Sequence, residues 1–396
     1  MSVKQKIFLI SYGSLLSCGI AVIAFVFLIA EGFSSELLWH TLPHYFKWDV
    51  LYKAVLCIVG ATIVYFCKRK WGNIPRTSHE RLHELQASQR VSYRYTINDL
   101  ITSLMILSFG AGVGPEATLL GAIIAFSIWQ ADKLRYVRWN FDDICKSSFR
   151  QRMNYLFHPQ KYLLPYKKED SLKNRKIFIA FFIINGLALF MLLMKMTDQP
   201  SFITKIGVSH WDMRDALILL PLVLYGYIVG MLYNFLSKNL KRFLERLNLP
   251  LWAKIGSGMV SIFVIATFMP VLLFSGQHSL PIAVKLGMVT PVAILVLLSF
   301  AKLLFLDICV WSGWIGGDIF PITFASILHG FAVAQVLNTH DELFVIAVVA
   351  VSFAITLLQK EWLAGIFISL FFPIDLLPVL FCVVVLFVVK NKFIKS

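Results

Sequence analysis

The sequence predicts an all-α polytopic membrane protein, and three observations carry that prediction. Of its 396 residues, 58% are hydrophobic and only 15% are charged, whereas soluble domains run near 45–50% and 25%. The apolar residues fall in long, almost uncharged blocks. Basic residues gather in alternate gaps between those blocks, the charge asymmetry of a chain threaded through a bilayer.

Taken in order, Met1–Lys6 leads into the apolar run Ile7–Ala30. That run is longer than the ~7–15-residue core of a signal peptide and lacks a small-residue cleavage site, so it reads as the first span. Val50–Cys67, Ile177–Met196, Ala216–Phe235, Gly256–Phe274, Val289–Phe305 and Leu343–Leu358 each approach the ~20 residues that a helix needs to cross a hydrocarbon core about 30 Å thick. Ile97–Trp129, Ile319–Val336 and Leu363–Val389 contain Gly or Pro breaks and read as pairs of shorter helices. The expected total is roughly 10–12 membrane segments. They form a single transmembrane domain over 1–396. Only Lys390–Ser396 follow the last block, so no C-terminal soluble domain is expected.

The net charge of +15 does not point to nucleic acid, because its distribution has a topological explanation. Lysines and arginines cluster at Lys68–Lys70, Lys133–Lys176, Lys238–Arg246 and the chain ends, while Glu31–Lys47, Asp198–Asp215 and Ser275–Lys285 carry few. The positive-inside rule then puts both termini and the polar segment Gln130–Arg175 in the cytoplasm, with the plasma membrane as the expected location. Interleaved aromatics make that segment either an amphipathic element on the headgroups or a solvated loop. The six cysteines have no metal-site spacing and read as free thiols. Phosphate loops, catalytic triads and H-E-x-x-H are absent. His79 and His83 stand four apart in H-E-R-L-H-E, half of a metal site at most, and read as a solvated helix face. No cofactor and no enzymatic activity are expected.

The chemistry lies in the breaks. In the first half an apolar run meets Gly110-Ala111-Gly112-Val113-Gly114-Pro115. In the second half Leu303–Trp311 meets Gly313-Trp314-Ile315-Gly316-Gly317-Asp318-Ile319-Phe320-Pro321. Paired interruptions of this kind mark binding sites in inverted-repeat transporters, although Gly in a membrane helix often serves only close packing. Pro115 and Pro321 suit the first turn of a new helix. Each break then leaves a helix N-terminus at membrane depth, with outward N–H groups and about half a positive charge. Such ends bind an anion without a full cation and so hold it weakly enough for conduction. Trp71-Gly72-Asn73-Ile74-Pro75 is a third candidate.

These stretches resemble the CLC family of chloride channels and chloride/proton antiporters. W-G-N-I-P (71–75), A-G-V-G-P (111–115) and G-D-I-F-P (317–321) fall in the order of that family's three anion-site motifs. Lys302, Ser312-Gly313, Gly316-Gly317 and the stretch Pro270–His278 fit as well. The resemblance implies a CLC-like inverted-repeat bundle with several broken or half-length helices, the first repeat about 48–197 and the second about 215–390. It implies a homodimer with one pore per subunit and an anion path lined by Gly72, Asn73, Ile74, Gly112, Val113, Gly114, Gly317, Asp318, Ile319 and Phe320. The chain also departs from the pattern. Val113 stands where the family has its gating glutamate, Gly72 or Asn73 replaces a serine, and Ile319 replaces a phenylalanine. No tyrosine follows Tyr233, and the proton-handling glutamate has no counterpart.

Glu116, just after Pro115, is either a gating or proton-linked group or a stabiliser of its own helix end, worth about 0.3–1 kcal/mol. Asp318 reads as a helix cap, Lys302 and Asp307 as an ion pair, Asn98 and Asp99 as caps of a helix starting near Leu100, and Asp375 as the mark of a late break. His278 and His329 are titratable but read as structural. The expected function is passage of chloride or another small anion, with passive conduction favoured over proton exchange because of Val113. A proton- or sodium-coupled carrier of an organic anion, a polytopic membrane enzyme and a membrane scaffold are the alternatives.

Overall fold

The computed structural model describes residues 2–88, 90–166, 175–197, 205–276 and 280–395. His278 and part of the polar segment lie outside them. In chain order the helices are α1 Val3–Glu36, α2 Asp49–Trp71, α3 Ser78–Ser88, α4 Thr96–Ser108, α5 Glu116–Trp139, α6 Phe141–Lys146, α7 Phe149–Phe157, α8 Arg175–Met196, α9 Met213–Leu217, α10 Leu219–Arg246, α11 Leu251–Phe268, α12 Leu280–Val289, α13 Val292–Trp311, α14 Ile319–Leu337, α15 Glu342–Leu358, α16 Glu361–Ser369 and α17 Leu377–Lys395. Among the described residues, eight helical segments are long and apolar enough to cross a membrane, and α4 and α15 are shorter apolar helices.

Two of the three broken blocks divide as expected. Ile97–Trp129 becomes α4 and α5, and Leu363–Val389 becomes α16 and α17 around a 3-10 turn at Ile374–Leu376, which holds Asp375. Ile319–Val336 does not divide. α14 runs through it unbroken, because Pro321 lies in the first turn, where a missing N–H costs nothing. Gly330 is a packing residue, since a Cβ there would lie 2.7 Å from the Ile346 carbonyl oxygen. α11 stops at Phe268, short of the expected Phe274, just ahead of the residue preceding Pro270, a position that disfavours helix.

The chain forms two compact units. The first comprises Met1–Leu37, Cys67–Met105 and Pro115–Pro200. In it α1 packs on α5 and α8. Gly13 makes room for the Phe182 ring, and Asn185 Nδ2 donates to Ser17 Oγ at 2.7 Å, a polar tie suited to a lipid-facing helix pair. The described part of the polar segment is largely helical rather than a solvated loop. Its start prolongs α5, and α6 and α7 fold back on α1 around buried Leu9, Tyr12, Leu16, Val137, Ile144 and Leu156. Tyr12 Oη donates to the Leu156 carbonyl, and Ser148 with Gln151 forms a capping box on α7.

Asp99 is not a cap. α4 begins at Thr96, and the Asp99 carboxylate pairs with the buried Arg81 guanidinium at 2.7 Å. That ion pair ties α3 to α4. His79 and His83 sit on α3, and no group of three metal-ligating side chains occurs among the described residues.

The second unit comprises Leu38–Phe66, Ile106–Gly114 and Ser201–Ser396. α15 lies at its centre, against α10, α14, α16 and α17. Its run Leu343–Thr356 is buried throughout, as an all-apolar helix must be. Gly226 and Gly230 bring α10 close enough that a Cβ would meet Ser352 and Thr356. Asp341 caps α15 through the Phe344 N–H at 3.0 Å and also accepts from Ser209 and His210.

Candidate functional site

The second unit brings two of the three glycine breaks together. α4 ends at Ser108, and Gly110 turns the chain with φ +87°. A Cβ there would lie 2.7 Å from the Trp39 ring, so conformation and space both require glycine. Trp39 Nε1 donates to the Ser108 carbonyl at 3.0 Å. Beyond the turn, Gly112 N–H donates to Cys309 Sγ at 3.4 Å, and Phe305 fills the place of a Gly112 side chain.

Gly114 and Gly317 then form an antiparallel bridge. Gly114 N–H donates to the Gly317 carbonyl at 2.8 Å, and Gly317 N–H donates back to the Gly114 carbonyl at 2.6 Å. Val113 is 0% exposed, and a Cβ on Gly316 would come within 2.4 Å of its Cγ2. Irregular backbone at membrane depth must satisfy its own polar groups, and here the two breaks satisfy each other.

The bridge fixes the head of α14. Asp318 holds the N-cap position but makes no capping hydrogen bond, and its side chain is exposed, so the expected side-chain cap is not formed. The first intrahelical bond runs from Ile322 N–H to the Asp318 carbonyl at 3.0 Å. Ile319 and Phe320 form the first turn of α14, where backbone N–H groups have no acceptor within the helix. The amides of Gly112, Gly114 and Gly317 are engaged within the scaffold, a role that sequence reasoning did not distinguish from ligand binding. Nothing in the sequence marked Cys309 or Phe305 as partners of this break.

Lys302 and Asp307 do not pair. Lys302 is 0% exposed and donates to the carbonyls of Leu272 and Phe274. Asp307 accepts from Tyr233, Ser237 and Lys241. Five residues apart on α13, the two side chains point in different directions: a spacing of five is about 140° round the helix, and only three or four makes neighbours.

The remaining candidates belong to the first unit. Gly72 follows α2 with φ +85°, and Ile74–Pro75 is cis. Pro75 opens no helix, since α3 begins at Ser78, and its first turn is served by Glu80, which accepts from Thr77 N–H at 2.8 Å. Asn73 lies in the turn between them, and Ile74 is buried. Pro115 is the N-cap of α5, so half-buried Glu116 is its first residue.

A family model described as voltage gated chloride channel matches residues 173–389, more than half of the chain and including the whole of the second break.

The chain belongs to the voltage gated chloride channel family.

Solved structures agree in fold. A slow cyanobacterial Cl⁻/H⁺ antiporter superposes with a TM-score of 0.71 at 12% identity, covering 95% of this chain and 93% of that one. A CLC-type fluoride/proton antiporter gives 0.62 at 13% identity, covering 97% and 96%. No curated protein matches the chain by sequence. Family membership makes this an integral membrane protein of an anion-transport family, whose members are transporters or channels.

Proposed function

We propose that the chain conducts chloride, or another small inorganic anion, passively across the cell membrane, along a path that passes the head of α14. The observation that carries the reading is the Gly114–Gly317 bridge. It holds Val113, Asp318, Ile319 and Phe320 at the positive end of a nineteen-residue helix, where the dipole favours an anion without a cation to trap it. Gly112, Gly114 and Gly317 act as the frame of this site. Gly72, Asn73 and Ile74 are proposed for the path on their motif alone.

Passive conduction follows from Val113. An apolar, wholly buried side chain at the gating position cannot carry a proton. The second reading, proton-coupled exchange, is favoured by one residue, Glu116 in the first turn of α5. Both termini are assigned to the cytoplasm, and a homodimer is the proposed assembly.

Chloride efflux from loaded proteoliposomes, with and without valinomycin and with external pH recorded, tests this. Passive conduction gives valinomycin-dependent efflux with no pH change. Efflux with stoichiometric proton movement favours exchange and makes Glu116→Gln the next variant. No flux of chloride, fluoride or nitrate overturns the anion reading.

A further inference from the structure

α14 is enclosed from Phe320 to Ala332, a setting that asks only for apolar side chains. It nevertheless carries Thr323, Ser326 and His329, each three residues from the next and so a neighbour on the helix surface. Thr323 Oγ1 donates to the Ile319 carbonyl at 2.7 Å. Ser326 Oγ and His329 Nδ1 have no hydrogen-bond partner among the described residues, though Ser326 is 0% and His329 2% exposed. Buried polar atoms without partners are rare in folded proteins, and each calls for a water, an ion or a chemical role. Here two of them lie one turn apart, and one belongs to an imidazole, a side chain able to take up a proton.

Among the described residues no carboxylate is in contact with the imidazole, and α10, which meets it through Tyr225, carries its charged side chains only from Lys238 to Arg246. The Nε2 of His329 lies 3.0 Å from Tyr225 Oη of α10. Its ring packs on Phe300 of α13 and Phe353 of α15. α15 has no ionisable side chain from Leu343 to Leu358. α13 carries Lys302, committed to two carbonyls, Asp307, committed to Tyr233, Ser237 and Lys241, and the Cys309 thiol, which accepts from Gly112. α12 carries Lys285, which is exposed. Among the described residues an imidazolium in this place has no counter-charge in contact with it, and a buried charge of that kind needs one.

We propose that His329, with Ser326, is a proton-binding site within the membrane, and that its loading is linked to anion occupancy at the head of the same helix. The proton adds to the ring nitrogen that bears no hydrogen, and no other bond forms or breaks. Both ring N–H groups then donate, Nε2 to the Tyr225 oxygen and Nδ1 to Ser326 Oγ, directly or through one water. An anion at the head of α14, about three turns away, favours that charge through the field it exerts across the low-dielectric interior. By linkage, each ligand strengthens the binding of the other. The linkage rests on the anion reading above, whereas the proton site does not.

The test uses the full chain with ¹⁵N-labelled histidine. Imidazole signals are followed against pH in gluconate and in chloride, and chloride flux is measured over the same pH range. The expected result is a signal, missing from His329→Asn, that titrates and whose midpoint moves up in chloride. Flux rises as pH falls, and His329→Asn removes that pH dependence. Ser326→Ala keeps the imidazole and moves the midpoint, so the site is read even where His329→Asn folds poorly. A His329 signal that does not change with pH overturns the proton site. A midpoint equal in the two anions, or a variant with the wild-type pH profile, overturns the linkage. Where the wild type carries no anion, the anion reading fails, and the titration in gluconate alone decides the proton site.

Discussion

A side chain at Gly316 has nowhere to go, because its Cβ would overlap Val113 Cγ2, and the Gly114 carbonyl oxygen is 2.9 Å away. Gly316→Ala is therefore expected to force the bridge apart and lower stability by about 1–3 kcal/mol, read as thermal unfolding in detergent, with loss of anion flux. Gly256→Ala in α11 is the control. It meets nothing within 4 Å and gains helix propensity worth up to about 1 kcal/mol. The exposed Asp318 carboxylate at the α14 N-cap competes with an anion for the same helix end. Asp318→Asn is expected to tighten anion binding by roughly two- to fivefold, measured as the chloride dependence of efflux. At this scale the sequence was only partly legible. Glycine at 112, 114 and 317 was visible as a break, but whether a glycine amide faces an ion or a partner strand depends on a residue some 200 positions away. The orientation of Lys302 away from Asp307 was hidden for a similar reason, since its acceptors lie in the Pro270 turn.

Helices were legible where composition decides them and less so where packing does. α15 follows from an uninterrupted apolar run. α14 was misread as two pieces because Gly330 looks like a break in sequence and is a contact in space. Gly330→Ala should push α14 from the Ile346 backbone and lower the melting temperature, whereas a true hinge glycine would tolerate alanine. The polar segment is no solvated loop over its described residues because Val137, Ile144 and Leu156 pack against α1, a helix more than a hundred residues earlier. Burial there pushes the Lys133 ammonium down to about 8 from its usual 10.5, while its Nζ donates to the His158 and Lys161 carbonyls at 2.8 Å. Its folded pKa lies below the unfolded one, so the neutral amine is favoured in the folded state. Stability is expected to rise as pH climbs from about 8 to 10.5 and to stay low below that window. Thermal unfolding of wild type against Lys133→Met over that range checks the sign, because the variant loses this contribution to the slope.

For the whole molecule, hydropathy and charge asymmetry made the membrane class readable, because bilayer thickness constrains helix length so strongly, while the family's fold was legible only through the three Gly–Pro motifs that resemble the family's. By the same asymmetry the polar segment is proposed to be cytoplasmic. Cys145 is exposed on α6, so a membrane-impermeant maleimide should label it in inside-out vesicles and leave it unlabelled in right-side-out ones, with Cys145→Ser as the blank. The pairing of two breaks from opposite halves of the chain was suggested by their echo. Its hydrogen bonds were not readable, because register between distant segments leaves no local trace. The central claim is that an anion meets the protein at the head of α14, beside Val113 and the Gly114–Gly317 bridge. Anomalous diffraction from crystals grown in bromide tests it most directly. The account predicts a bromide peak at the first turn of α14, near Val113 and Phe320. Ordered bromide elsewhere with none at that helix end would contradict it.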